Sequence, residues 1–196
     1  TYLLRGVSFI YQGQELGMIG SHHDSIQEFD DVESYNFYEE FCQTMPAAKA
    51  LEKINFGSRD NTRHPMCWDG SETGGFTTGK PWMKVNPRYT EINLEADRAD
   101  EDSIFSFYQK LTAMRKEQPA IIDGDLQFFL EQHPQLIVYT RSCEEQTLLV
   151  VANYSDEKTS VTLPCVLNNA KWELILTNTE GRPAVFGRGE LAPWEV

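Results

Sequence analysis

The chain has 196 residues, of which 17 are basic and 30 acidic, giving a formal charge of −13 at pH 7 and a pI near 4.7. An apolar share of 40% with 12% aromatics supplies a packed core and excludes wholesale disorder. The acid excess argues against a nucleic-acid partner, because phosphate binding needs clustered Lys and Arg.

No apolar run approaches the roughly 20 residues of a membrane-spanning helix, so no membrane partner is expected. The opening Thr-Tyr-Leu-Leu-Arg-Gly lacks the basic-then-apolar layout of a signal peptide. Without an initiating Met, the chain reads as a piece of something longer. Cys42, Cys67, Cys143 and Cys165 are widely spaced, with no C-x-x-C pair. Four reduced thiols in a cytoplasmic protein is the expectation, with no metal and no cofactor.

In chain order, Val7-Ser8-Phe9-Ile10-Tyr11-Gln12, fenced by Gly6 and Gly13, predicts a short strand buried on both faces, as in a parallel sheet. A helix follows. Asp30 and Glu33 have capping-box spacing, and Val32, Tyr35, Tyr38, Cys42 and Met45 recur at helical intervals. Pro46 suits the first turn of a second helix carrying Leu51 and Ile54, and Gly57 suits its end.

From Ser58 to about Asp100 the chain is irregular and rich in Gly, Pro, Thr and aromatics. A loop of that length with Met66, Trp68, Phe76, Trp82 and Tyr89 reads as ordered, since linkers lack such an aromatic load. Asp102 is the expected cap of a helix whose apolar stripe is Ile104, Phe107, Tyr108, Leu111 and Met114, stopped by Lys116 and Pro119.

From Leu126 the period changes. Runs at 126–130, 136–140, 147–151, 161–163 and 172–176, separated by polar turns, predict an antiparallel sheet in a small sandwich, with 191–196 as the start of a further strand.

The charge-rich loop Ser58-Arg59-Asp60-Asn61-Thr62-Arg63-His64-Pro65-Met66-Cys67-Trp68-Asp69 is the chemical focus. Arg59 and Arg63 offer planar donor forks for carboxylates or paired hydroxyls. Asp60 and Asn61 suit a polyol, and Trp68 suits stacking on a sugar's apolar face. The competing reading makes Arg59, Asp60 and Arg63 an internal network that holds the loop, with Trp68 as its anchor. Phe76, Trp82 and Tyr89 are expected to pack the loop onto its scaffold rather than to line a subsite. His22-His23-Asp24 is expected to be surface polarity rather than a metal cluster, and His133 before Pro134 a turn residue.

These residues carry a resemblance. Phe9-Ile10-Tyr11-Gln12-Gly13-Gln14-Glu15-Leu16-Gly17-Met18 resembles the eighth-strand segment of glycoside hydrolase family 13 α-glucosidases, in the α-amylase superfamily. The Ser58–Asp69 loop is similar to their Ser-Arg-Asp-Asn-x-Arg-x-Pro-Met-Gln-Trp motif. Gly75-Phe76-Thr77, Pro81-Trp82, Val85-Asn86-Pro87 and Ile92-Asn93 follow in family order, as do Ser103-Ile104, Phe107-Tyr108, Lys110-Leu111 and Arg115-Lys116. The chain departs from the family at Val7-Ser8, where it has Thr-Pro, at Gln14, where it has an acid, and at Cys67, where it has Gln.

The resemblance spans the chain and is closest to oligo-1,6-glucosidases, dextran glucosidases and trehalose-6-phosphate hydrolases. It implies an α+β fragment: the last strand, long loop and last helix of a (β/α)8 barrel in residues 1–118, then a small antiparallel β-sandwich in 119–196.

By the same resemblance, the parent is a retaining α-glucosidase acting on terminal α-1,6 bonds of isomalto-oligosaccharides. Trehalose-6-phosphate hydrolase, sucrose isomerase and a non-catalytic partner subunit are the alternatives. Retaining hydrolysis needs two carboxyl groups roughly 5 Å apart, and the resemblance places the family's catalytic carboxylates upstream. No catalytic residue is therefore expected here, and Arg59, Asp60, Asn61 and Arg63 are the expected substrate contacts. The partner is an oligosaccharide bound by the complete enzyme, and the orphan strand invites self-association.

Overall fold

The computed structural model describes residues 2–182 and 187–196. Their contacts divide them into two bodies, residues 10–106 and residues 2–9 with 107–196. Residues 7–12 form no strand. Val7 and Phe9 are 82% and 85% exposed, and no described segment pairs with them. A strand of a parallel sheet exists only between hydrogen-bonded neighbours, so apolar patterning alone does not build one.

In the body of residues 10–106, a tight turn over Gln14–Leu16 is bracketed by Gly13 and Gly17 at φ 85° and 65°. A Cβ on Gly13 would lie 2.6 Å from Met18 Sδ, so both conformation and space require glycine there. Helices α1 (Val32–Cys42) and α2 (Ala47–Gly57) pack against each other and the preceding loop. Their shared core is Ile26, Phe29 and Ile54, with Tyr38, Phe41 and Leu51 around it.

Asp31, not Asp30, occupies the cap position of α1, and its side chain makes no capping hydrogen bond. Pro46 stands at the N-cap of α2, one residue ahead of the first turn expected for it, and Gly57 is the last helical residue, with Ser58 as the C-cap. The loop that follows is held by buried Met66, Cys67 and Met83 and by backbone bonds from Leu94 and Glu95 to the carbonyls of Cys67 and Trp68. A short helix, α3 (Leu94–Ala99), interrupts it, capped by Asn93 Oδ1 on the Ala96 N–H at 2.9 Å.

Helix α4 (Ile104–Glu117) starts one residue later than its acidic neighbour suggested. Ser103 Oγ accepts from the Ser106 N–H at 3.1 Å, while Asp102 gives its own N–H to Asp100. In the body of residues 2–9 and 107–196, α5 (Pro119–Ile122) leads into β1 (Asp125–Phe129), β2 (Leu136–Ser142) and β3 (Thr147–Asn153), an antiparallel sheet in that order. Phe128 opposes Tyr139, and Val138 opposes Val151.

A second sheet pairs β4 (Thr159–Thr162) with β5 (Arg188–Leu191), and α6 (Cys165–Asn168) lies between them in sequence. The expected sandwich core closes between the sheets through Leu136, Val138, Val161, Leu163, Leu167 and Leu191.

Residues 172–176 are not a strand. The Trp172 indole donates to the Leu167 carbonyl at the end of α6, and no described segment forms a ladder with this stretch. The last strand ends at Leu191 rather than running to 196. The chain then turns, and Glu195 O accepts from the Asn153 N–H at 2.8 Å.

Candidate functional site

The site is built around a 3-10 turn at Arg59–Thr62 that follows α2 directly. Ser58 opens it, its Oγ accepting from the Asp60 N–H at 3.1 Å. Asp60 is fully buried and faces away from solvent. Its Oδ2 accepts from the N–H groups of Asp30 and Asp31 at 2.8 and 3.0 Å, and its Oδ1 from Arg63 Nη1 at 3.3 Å. Asp60 thus takes backbone donors just ahead of α1, where helix polarity favours an anion.

Arg59 points the other way. Its side chain is half-exposed, with Nη2 and Nε on Asp31 Oδ1 and Oδ2 at 2.5 and 3.3 Å and Nη2 also 3.2 Å from Glu33 Oε2. The Arg59 guanidinium holds the Asp31 carboxyl below the usual carboxylate range despite burial, and Asp31 raises Arg59 in return. Arg59 Nη1 has no hydrogen-bond acceptor among the described residues. Arg59 helps to line a cavity of about 230 Å³, together with Asp31, Glu33, Phe37, Phe41 and Lys53. Both acids of this cavity are ion-paired to Arg59, so they anchor a donor rather than supply a proton.

The remaining expected contacts separate. Asn61 Nδ2 donates to the Asn55 carbonyl at 2.6 Å, while its Oδ1 is buried without a partner against Gly20. Arg63 is committed to Asp60. Asp60 and Asn61 therefore show the geometry of loop scaffolding, while Arg63 gives only Nη1 to Asp60 and, like Arg59, keeps donors with no hydrogen-bond acceptor among the described residues.

Of the three aromatics expected to pack the loop, Tyr89 is half-buried, while Phe76 and Trp82 depart from that role. Trp68, Phe76 and Trp82 are 47%, 48% and 67% exposed, and the Trp82 indole donates to Asp30 Oδ2 at 3.0 Å. Burial pushes the Cys67 thiol up, which disfavours the nucleophilic thiolate.

Of the two adjacent histidines, His22 is exposed and 3.7 Å from Asp24, but His23 is fully buried, tilted against the Phe29 ring and stacked on His64. The reading of this tripeptide as surface polarity fails for His23. His64 Nδ1 meets the Lys84 carbonyl at 2.7 Å, and its Nε2 accepts from the Ser21 N–H. Among the described residues no group of three or more His, Cys, Asp or Glu side chains is placed to hold a metal. No helix among them is long and apolar enough to cross a membrane.

Asp31, the buried carboxylate partner of Arg59, is not singled out by the sequence. It precedes a helix start, and its partner lies 28 positions away, so no local signal marks the pair.

Comparison with known proteins agrees with this architecture. A model of the α-amylase catalytic domain matches residues 1–124, and one of the maltogenic amylase C-terminal domain matches 126–194. An oligo-1,6-glucosidase of Halalkalibacterium halodurans is 40% identical over all of the chain, and a trehalose-6-phosphate hydrolase of Bacillus subtilis is 39% identical over 99% of it. The chain spans 35% of the length of each.

The crystal structure of Bacillus licheniformis trehalose-6-phosphate hydrolase in complex with PNG (mutant R201Q) superposes with a TM-score of 0.93 at 38% identity, over 99% of this chain and 36% of that one. With the catalytic-domain model covering well over half of its residues, the chain belongs to the α-amylase family.

Proposed function

We propose that these 196 residues are the C-terminal part of a retaining α-glucosidase that hydrolyses terminal α-1,6 bonds of isomalto-oligosaccharides. Residues 1–118 complete its barrel and 119–196 form its β-sandwich. The observation that carries the reading is Arg59: a guanidinium clamped by carboxylates on one edge, whose residue lines a cavity and whose Nη1 has no acceptor among the described residues. That is the geometry of a donor for a sugar hydroxyl, on a chain that resembles oligo-1,6-glucosidases along its whole length.

Arg59 contacts the non-reducing glucose. Asp60, Asn61 and Arg63 support the same loop, with any contact of theirs to substrate secondary, and the catalytic carboxylates lie outside residues 1–196. No cofactor, nucleic acid or membrane enters the reaction. A cytoplasmic location fits the four free thiols.

In the complete enzyme, Arg59→Lys lowers kcat/KM for an aryl α-glucoside by about thirtyfold or more, because an ammonium cannot hold a carboxylate and a hydroxyl in one plane. Unchanged kinetics in a folded variant would remove Arg59 from the substrate. The isolated chain self-associates through residues 7–12, where Val7, Phe9, Ile10 and Tyr11 are exposed. Sedimentation of the chain as a monomer at all concentrations contradicts that.

A further inference from the structure

The second side chain in this site is Asp31, and its geometry is at odds with its position. A carboxylate at a helix cap ordinarily accepts from the N–H groups of the first turn. Asp31 sits at the cap of α1 and makes no such bond. The N–H groups of Asp30 and Asp31 are instead taken by the buried Asp60 carboxylate. Asp31 is itself only 4% exposed, and its two oxygens face the Nε and Nη2 edge of Arg59. Ser34 Oγ donates to Oδ2 at 3.3 Å and bridges to Ser58 Oγ at 2.7 Å, so the carboxylate is braced from the helix side and from the turn that carries Arg59. The Nε–Nη2 edge of the guanidinium is thereby fixed, Nη1 has no hydrogen-bond acceptor among the described residues, and Arg59 is one of the residues that line the cavity.

We propose that Asp31 is a positioning residue: through a two-point grip on Arg59 it aims Nη1 at the substrate's glucose, without touching substrate itself. Asp60 is the outer member of the same device, holding the Asp31 backbone. The proposal rests on the reading of Arg59 as a substrate contact.

The grip uses both carboxylate oxygens as acceptors of a charged fork, which an amide cannot reproduce, since one of its two polar atoms is a donor. Asp31→Asn therefore keeps the volume and releases the guanidinium. In the complete enzyme Asp31→Asn lowers kcat/KM about tenfold, and Arg59→Lys about thirtyfold. Because both act on one interaction, the double variant falls within about threefold of Arg59→Lys rather than the roughly 300-fold of independent effects.

In the chain itself, the Arg59 Nε–H exchanges with water more slowly than that of exposed Arg98, and Asp31→Asn removes the difference while leaving the amide spectrum of α1 in place. Normal kinetics in Arg59→Lys overturns the underlying reading. An impaired Arg59→Lys beside a normal Asp31→Asn, or effects that multiply, overturns the positioning role alone. Should Asp31→Asn fail to fold, an Arg59 Nε–H that exchanges in the parent chain as fast as that of Arg98 overturns it as well.

Discussion

Arg141 provides the sharpest test of how the C-terminal body is held together. It lies on β2, fully buried, with Nε and Nη2 on the Gly124 carbonyl at 3.1 and 2.9 Å and Nη1 on the Leu3 carbonyl at 2.9 Å. Burial pushes its guanidinium down, and its partners among the described residues are carbonyls rather than a carboxylate. The fork thus ties the end of α5 and the residue 2–9 segment to the central strand.

A lysine at 141 reaches one carbonyl and leaves the other bare, losing two of three hydrogen bonds to a charged group. At about 1.5 kcal/mol each, the expected loss is about 3 kcal/mol. For a body of this size that lowers Tm by about 10–20 °C. Arg141→Met, which removes the charge and strands both carbonyls, should be destabilised to a similar degree. Thermal unfolding followed by circular dichroism measures both variants. A lysine variant within about 0.5 kcal/mol of the parent would show that a buried charge suffices and that the fork does not matter.

Two further outcomes follow from buried groups. Burial, with His64 second, lowers the His23 pKa, against the attraction of Glu28 and alongside the repulsion of Lys84. The unfolded chain therefore binds the proton more readily. The stability from neutral His23 is full above about pH 6.5 and is lost as pH falls through the depressed folded value. His23→Phe should flatten the acid side of the stability curve between pH 7 and 5, and parallel curves for the two proteins contradict this. Thiol titration of the denatured chain without reductant should find about four reactive groups from Cys42, Cys67, Cys143 and Cys165. Two or fewer would point to disulfides and an exported parent.

Much of the architecture was legible where the signal is local. Pro46 and Gly57 mark the ends of α2, and the alternation at 136–140 and 147–151 marks the central pair of strands, because those cues act within one element. Residues 7–12 and 172–176 carry equally apolar patterns and form no ladder, since a strand is defined by its neighbour as much as by its own residues.

The choice of Ser103 over Asp102 as the cap of α4 turned on a one-residue shift that composition cannot resolve. In the site, the charged loop stood out by residue type, and its division of labour did not. Asp60 and Arg63 turn inward and Arg59 outward because donors ahead of α1, 29 and 30 positions upstream of Asp60, capture the Asp60 carboxylate. His23 escaped notice because an exposed His22 and Asp24 flank it, and burial is decided by Phe29 and His64.

The central claim is that this chain serves a retaining α-1,6-glucosidase, and its most direct test is the product of isomaltose hydrolysis by the complete enzyme, followed by proton NMR from the first seconds. The account predicts that glucose released from the non-reducing end appears first as the α-anomer, with isomaltose turned over faster than trehalose 6-phosphate or sucrose. First appearance of the β-anomer, or turnover confined to trehalose 6-phosphate, would contradict it.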